Sequence, residues 1–155
     1  FFDENGNLRN IINERSSNLI QTPIIQSFCI YKSMPGNNSQ PEFTASGAYI
    51  FRPQSNESEC LEISSFTLFQ SDIVSEVHQV YEYKNSYVSQ TIRLYENESN
   101  VEFEWQVGPI YVDDGNGREI VMKIQSDIAS SSQFYTDSNG REMLMRKLDF
   151  RPTWP

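Results

Sequence analysis

One histidine, His78, and two cysteines, Cys29 and Cys60, are the only imidazole and thiol side chains in a chain of 155 residues. A catalytic zinc takes three protein ligands, usually including at least two histidines or cysteines, so a self-contained zinc centre is not expected here. The same shortage removes Cys–His nucleophilic arrangements unless His78 meets a cysteine. With only 7 glycines there is no Gly-rich phosphate cradle. Positive charge is also scarce: 12 Lys and Arg stand against 21 Asp and Glu, a net charge of -9, and no basic cluster is denser than Arg141 to Arg151. Nucleic acid and anionic membrane surfaces therefore find no electrostatic footprint. No apolar run approaches the length of a bilayer-spanning helix, and no basic-then-apolar leader opens the chain.

Aromatic side chains are plentiful, with 10 Phe, 8 Tyr and 2 Trp in a composition that is 37% hydrophobic. That is enough for one globular domain with a largely aromatic core. The apolar ends, Phe1-Phe2 and Thr153-Trp154-Pro155, predict a single β-domain over 1–155, or part of one, excised from a longer chain.

Alternation is clearest over 99–107, where Val101, Phe103, Trp105 and Val107 interleave with Glu102, Glu104 and Gln106. This predicts a half-buried strand with Trp105 turned into the core. Tyr87 to Glu96 reads as its hairpin partner across a turn at Glu96–Asn100, and Ile73 to Tyr83 joins through Lys84-Asn85-Ser86 as a third strand of an antiparallel meander. Further strands are predicted at Leu19–Tyr31, Gly47–Phe51, Leu61–Gln70, Glu119–Ser126, Gln133–Thr136 and Glu142–Arg146, separated by turns rich in Gly, Asn and Asp. No window carries a capped helical stripe. The fold class is all-β, an antiparallel β-sandwich.

Candidate sites are few. Three Asn-x-Ser sequons, at Asn37, Asn56 and Asn97, fall in polar turns and point to the secretory pathway. Cys29 and Cys60 either close a disulfide, which an oxidising lumen permits, or stand as two buried thiols. His78 lies mid-strand at opposite parity to Val77 and is read as structural, with a ligand or inter-domain surface as the alternative. Glu102 and Glu104 share a strand face about 7 Å apart; a solvated polar face explains them better than paired catalytic carboxylates. Asp113–Gly117 and Asp137–Gly140 resemble calcium loops faintly, but lack the downstream glutamate. No catalytic and no metal-ligating residue is assigned.

Read together, Ala45-Ser46-Gly47-Ala48-Tyr49-Ile50-Phe51-Arg52-Pro53, Glu76–Gln79, Ser89–Tyr95, Glu102–Ile110, Phe134–Glu142 and Asp149–Trp154 resemble, in this order, the lysosomal-type α-mannosidases of glycoside hydrolase family 38. The resemblance implies a fragment of the C-terminal β-region, a supersandwich similar to the galactose mutarotase type. It implies a parent that removes terminal α-mannose from N-glycans with retention, in the lysosome or after secretion. The nucleophile and the zinc would lie in an N-terminal domain absent from this sequence, so no cofactor is expected here. Its partners would be the remaining domains of the parent, and the N-glycan would be the parent's substrate. Arg141, Arg146 and Arg151 are the candidate inter-domain contacts, because buried interfaces favour Arg over Lys. Both cysteines fall outside the resembling motifs, so no disulfide is implied by likeness. The competing reading is a free-standing carbohydrate-binding module.

Overall fold

The computed structural model describes residues 1–13 and 20–153. Leu19 and Trp154 therefore lie outside the described residues. Among the described residues ten strands follow in chain order: β1 (Asn10–Asn13), β2 (Ile20–Lys32), β3 (Glu59–Cys60), β4 (Ile63–Gln70), β5 (Val74–Tyr83), β6 (Ser86–Tyr95), β7 (Glu102–Val107), β8 (Arg118–Ser126), β9 (Gln133–Asp137) and β10 (Met143–Lys147). A single 3-10 turn, Pro41–Phe43, is the one helical element among the described residues.

All strand pairing is antiparallel. β4-β5-β6-β7 form a four-stranded meander, and β2 is the spine of a second sheet, flanked by β8 along one edge and by β1 and β3 along the other. The two sheets face each other as a sandwich. The meander follows from the alternation in its sequence: β5 turns Val77, Gln79 and Tyr81 inward, and β6 answers with Ser86, Val88, Gln90 and Ile92. Lys84 takes a left-handed φ of 53° in the tight β5–β6 turn, and Asn97 one of 64° between β6 and β7.

Phe28 of β2 fills the centre. It is fully buried, meets the Tyr81 ring edge-on at 5.1 Å, and packs with Val88 and with partly buried Leu61, Ile63, Val107, Ile120 and Met122. Trp105 also turns toward Phe28, at 5.8 Å between centroids, yet remains 46% exposed. The expected core position is thus only half realised, because β7 is the edge of its sheet. Gly47–Phe51, expected as a strand, is a loop: the Gly47 amide donates to the Ile50 carbonyl, so the backbone bends where aromatic and branched residues suggested extension. Gly36 makes this loop possible, with φ at +54° and no room for a Cβ against the Ala45 backbone.

Candidate functional site

Inward-facing glutamine is uncommon because an unsatisfied buried amide is costly, and this sandwich holds three. Gln26 of β2 donates to Gln90 Oε1 at 3.2 Å; the Gln90 amide donates back to Gln26 Oε1 at 3.0 Å and to Gln79 Oε1 at 2.6 Å. Tyr81 adds its hydroxyl to Gln79 Oε1, and the Gln79 amide donates to the Gly6 carbonyl at 2.7 Å. Burial pushes the Tyr81 phenol up to about 12, so it stays a neutral donor. The chain of amides ties both sheets and the N-terminal loop into one unit. Sequence reasoning passed over it, although the parity that assigned Val77 inward assigns Gln79 inward too.

A second buried polar feature closes the loop before β8. Arg118 is buried and donates to the carbonyls of Tyr111 and Asn116 and in bidentate fashion to Asp114. The Arg118 guanidinium holds the Asp114 carboxyl well below the usual carboxylate range, against a desolvation that would raise it. The Lys84 ammonium sits 4.2 Å from the Tyr111 ring centroid above the same loop. The Asp113–Gly117 stretch is thereby committed to an arginine clasp.

On the outer face of the meander a charged ladder runs across three strands. Glu104 of β7 pairs with Arg93 of β6, Arg93 Nε lies 2.5 Å from Glu76 Oε1 of β5, and Glu76 Oε2 lies 2.8 Å from His78 Nε2. Hydrogen bonds from His78 and Arg93 lower the Glu76 carboxyl despite partial desolvation. His78 stacks at 4.7 Å from the Phe69 ring and is half-exposed. Glu102 and Glu104 are exposed, and Glu104 is spent on Arg93.

Among the described residues the usual zinc-ligating side chains are already engaged. The lone histidine is engaged by Glu76, Cys29 and Cys60 are joined in a disulfide, and among the described residues no group of three or more His, Cys, Asp or Glu could hold a metal. Two open depressions stand out among the described residues. One, of about 420 Å³, lies between the Met34 and Ala45–Ala48 backbones and the Gly115–Gly117 turn, with Glu119 as its single carboxylate. The adjoining loop carries Tyr49, 101% exposed, into solvent. The other, of about 550 Å³, gathers Asp72, Glu96, Glu98 and Glu102 around Ile73 and Tyr95 at the β6–β7 turn. Neither is lined by a histidine, a cysteine or a basic side chain.

The sequon asparagines are all exposed: Asn37 in the loop after β2, Asn56 in the bend before β3, Asn97 in the β6–β7 turn. Arg141 is exposed at the tip between β9 and β10, and Arg146 lies on β10 with Nε 3.3 Å from Thr136 Oγ1. Arg151 follows in the C-terminal segment and is exposed as well. Arg141 stands at the opposite end of the hairpin from the turn that leads to Arg151.

Known proteins resemble this chain over almost its whole length. The chain is 41% identical to the lysosomal alpha-mannosidase of Bos taurus over 156 aligned residues, covering 99% of this chain and 15% of that relative. It is 40% identical to the Homo sapiens lysosomal alpha-mannosidase, with 99% and 15% covered, and 39% identical to the alpha-mannosidase of Canavalia ensiformis, with 97% and 15% covered. The chain thus spans less than a sixth of the length of these relatives. The model of the glycosyl hydrolases family 38 C-terminal domain matches residues 1–155. The chain belongs to glycosyl hydrolase family 38, as a segment of its C-terminal domain.

Proposed function

We propose that this chain is a non-catalytic β-sandwich segment of a lysosomal-type α-mannosidase, which buttresses the catalytic domain of its parent. The parent hydrolyses terminal α-D-mannose residues of N-glycans, with zinc and nucleophile supplied by residues outside this sequence. The observation that carries the reading is the match to the family's C-terminal domain across the whole chain, alongside relatives named as lysosomal alpha-mannosidases. The buried polar side chains support it, because three glutamines are engaged in a cross-sheet network and Arg118 in a loop clasp.

An acidic lumen suits the same residues. Against a desolvation that would raise it, hydrogen bonds from Asn7, Arg9 and Asn5 lower the Asp3 carboxyl to about 2, and Arg118 holds that of Asp114 well below the usual range, so these two contacts persist in acid. The chain's pI of about 4.5 leaves little net charge at such a pH. Exposed Asn37, Asn56 and Asn97 would carry glycans acquired on the way.

The deciding experiment assays a chromogenic α-mannoside with the purified chain and with the full-length protein, each with and without zinc. Turnover by the full-length protein alone is the expected result. Clear turnover by the isolated chain refutes the non-catalytic assignment, and none by the full-length protein refutes the mannosidase reading.

A further inference from the structure

Of the three sequons, that at Asn97 has an aromatic residue two positions ahead of it, Tyr95, where Pro35 and Gln54 precede Asn37 and Asn56. Tyr95 closes β6 opposite Val74 and shares the parity of Arg93, which places it on the outer face of the meander. The Glu98 amide donates to the Tyr95 carbonyl at 3.2 Å and Asn97 takes its left-handed φ, a tight turn that folds the sequon back on the strand end. The Glu96 amide donates to the Ile73 carbonyl at 2.8 Å, tying the β4–β5 turn alongside. Tyr95, Asn97 and Ile73 thus line one depression of about 550 Å³, within the span of about 300–1,000 Å³ usual for small-ligand sites. Ile73 is 71% exposed and Tyr95 38%, so apolar surface faces water beside a side chain that can be glycosylated.

We propose that Asn97 is N-glycosylated and that the first N-acetylhexosamine of its glycan lies back in this depression against Tyr95. The step joins Asn97 Nδ2 to the anomeric carbon of a polyprenyl-diphosphate-linked oligosaccharide: the amide gives up one proton, the carbon–oxygen bond to the diphosphate breaks, and polyprenyl diphosphate departs with the electron pair. The tether selects the occupant, because a sugar fixed at Asn97 meets Tyr95 at a high effective concentration. The chemistry of the two surfaces agrees. A pyranose offers C–H groups on one face, which suit the negative face of a phenol ring, and carries hydroxyls at its rim. Asp72, Glu98 and Glu102 line the same depression with carboxylates able to accept from those hydroxyls. Asn37 and Asn56 line neither depression, so a glycan there has no such seat. The inference rests on the secretory route of the proposed reading and not on its catalytic claim.

The full-length protein from a eukaryotic secretory host is tested by peptide mass spectrometry for a glycan at Asn97. It is then treated, still native, with peptide-N-glycosidase, and release is followed as conversion of Asn97 to aspartate. The expected result is an occupied Asn97 whose glycan is released about fivefold more slowly from the wild type and from Tyr95→Phe, which keeps the ring, than from Tyr95→Ser. An unoccupied Asn97 overturns the proposal, and so do equal release rates from the wild type and Tyr95→Ser. A second readout leaves Tyr95 untouched: Ser99→Ala abolishes the sequon, and hydrogen exchange across Ile73–Val74 and Tyr95–Glu98 should quicken by a similar factor. Unchanged exchange there opposes the seat. Mannoside turnover in the same sample separates the two ideas, since fast release from an active enzyme sinks the seat alone, and slow release without turnover sinks the mannosidase reading alone.

Discussion

Gln26 and Gln90, 64 residues apart in sequence and on opposite sheets, exchange two side-chain hydrogen bonds in the interior of the sandwich. Gln79 extends the pair to the N-terminal loop, where Gly6 takes a φ of +78° with its Cβ position against the Phe66 ring. The Gln90 and Gln79 amides together therefore hold both sheets and a loop in register.

Gln90→Leu leaves Gln26 without its partner on both polar atoms and removes one donor from Gln79. The cost is about 2–3 kcal/mol, since each unsatisfied buried group carries its own desolvation penalty. Urea unfolding midpoints check it. The Gln26→Leu/Gln90→Leu double variant should be less destabilised than the two single effects added together, and strict additivity would argue that the network is not cooperative.

The Asp3 clasp predicts a pH profile. Partial desolvation raises the Asp3 carboxyl, but hydrogen bonds from Asn7, Arg9 and Asn5 outweigh it and lower the group from 3.8 to about 2. A depressed folded value stabilises fully above the unfolded one and is lost as pH falls through about 2. The stability difference between wild type and Asp3→Asn should then be flat from neutral pH down to lysosomal acidity, and shrink only between about 4 and about 2. Thermal unfolding across that range tests it; a difference already fading at lysosomal pH would show the clasp to be weaker than its geometry.

Replacing Arg118 should unlatch the Tyr111–Gly117 loop. Arg118→Lys keeps one charge but cannot fork between Asp114 and two carbonyls, and costs about 2–3 kcal/mol; Arg118→Ala costs at least as much. Limited proteolysis should then cut near Asp113, and an unchanged digestion pattern would count against the clasp.

Reducing the Cys29–Cys60 bond, or a Cys29→Ser/Cys60→Ser variant, releases a closure spanning 31 residues. By the chain-entropy model the loss is about 3–4 kcal/mol. A calorimetric scan with and without reductant reads it directly, and identical traces would mean the unfolded chain gains nothing from the release.

The meander was legible because its strands alternate strictly, and because one-sided burial makes period two a physical requirement rather than a preference. Val77, Tyr81, Val88 and Ile92 all turn inward as that period demands. What escaped was polar. Gln26, Gln79 and Gln90 carried no role in the sequence, since their hydrogen bonds form only once strands from both sheets are superposed. Gly47–Phe51 misled for the opposite reason: its branched and aromatic residues favour extension, but Gly47 lets the backbone return on Ile50. Arg118 carried a faint signal in its spacing from Asp114, yet four residues apart in a loop says nothing of burial. β9 and β10 were visible as strands, while their pairing apart from both sheets belongs to tertiary structure alone.

β3 is only two residues long, Glu59 and Cys60, and lies against the flank of β2 at Cys29 and Ile30. A covalently tethered stub of this kind works as a stopper: it occupies backbone groups that would otherwise recruit a strand from a neighbouring chain. Oxidation during biosynthesis then does more than stabilise. It closes an edge beside Phe28 that could recruit another strand, so the order in which sulfur chemistry and sheet assembly occur should govern how much soluble protein folding yields.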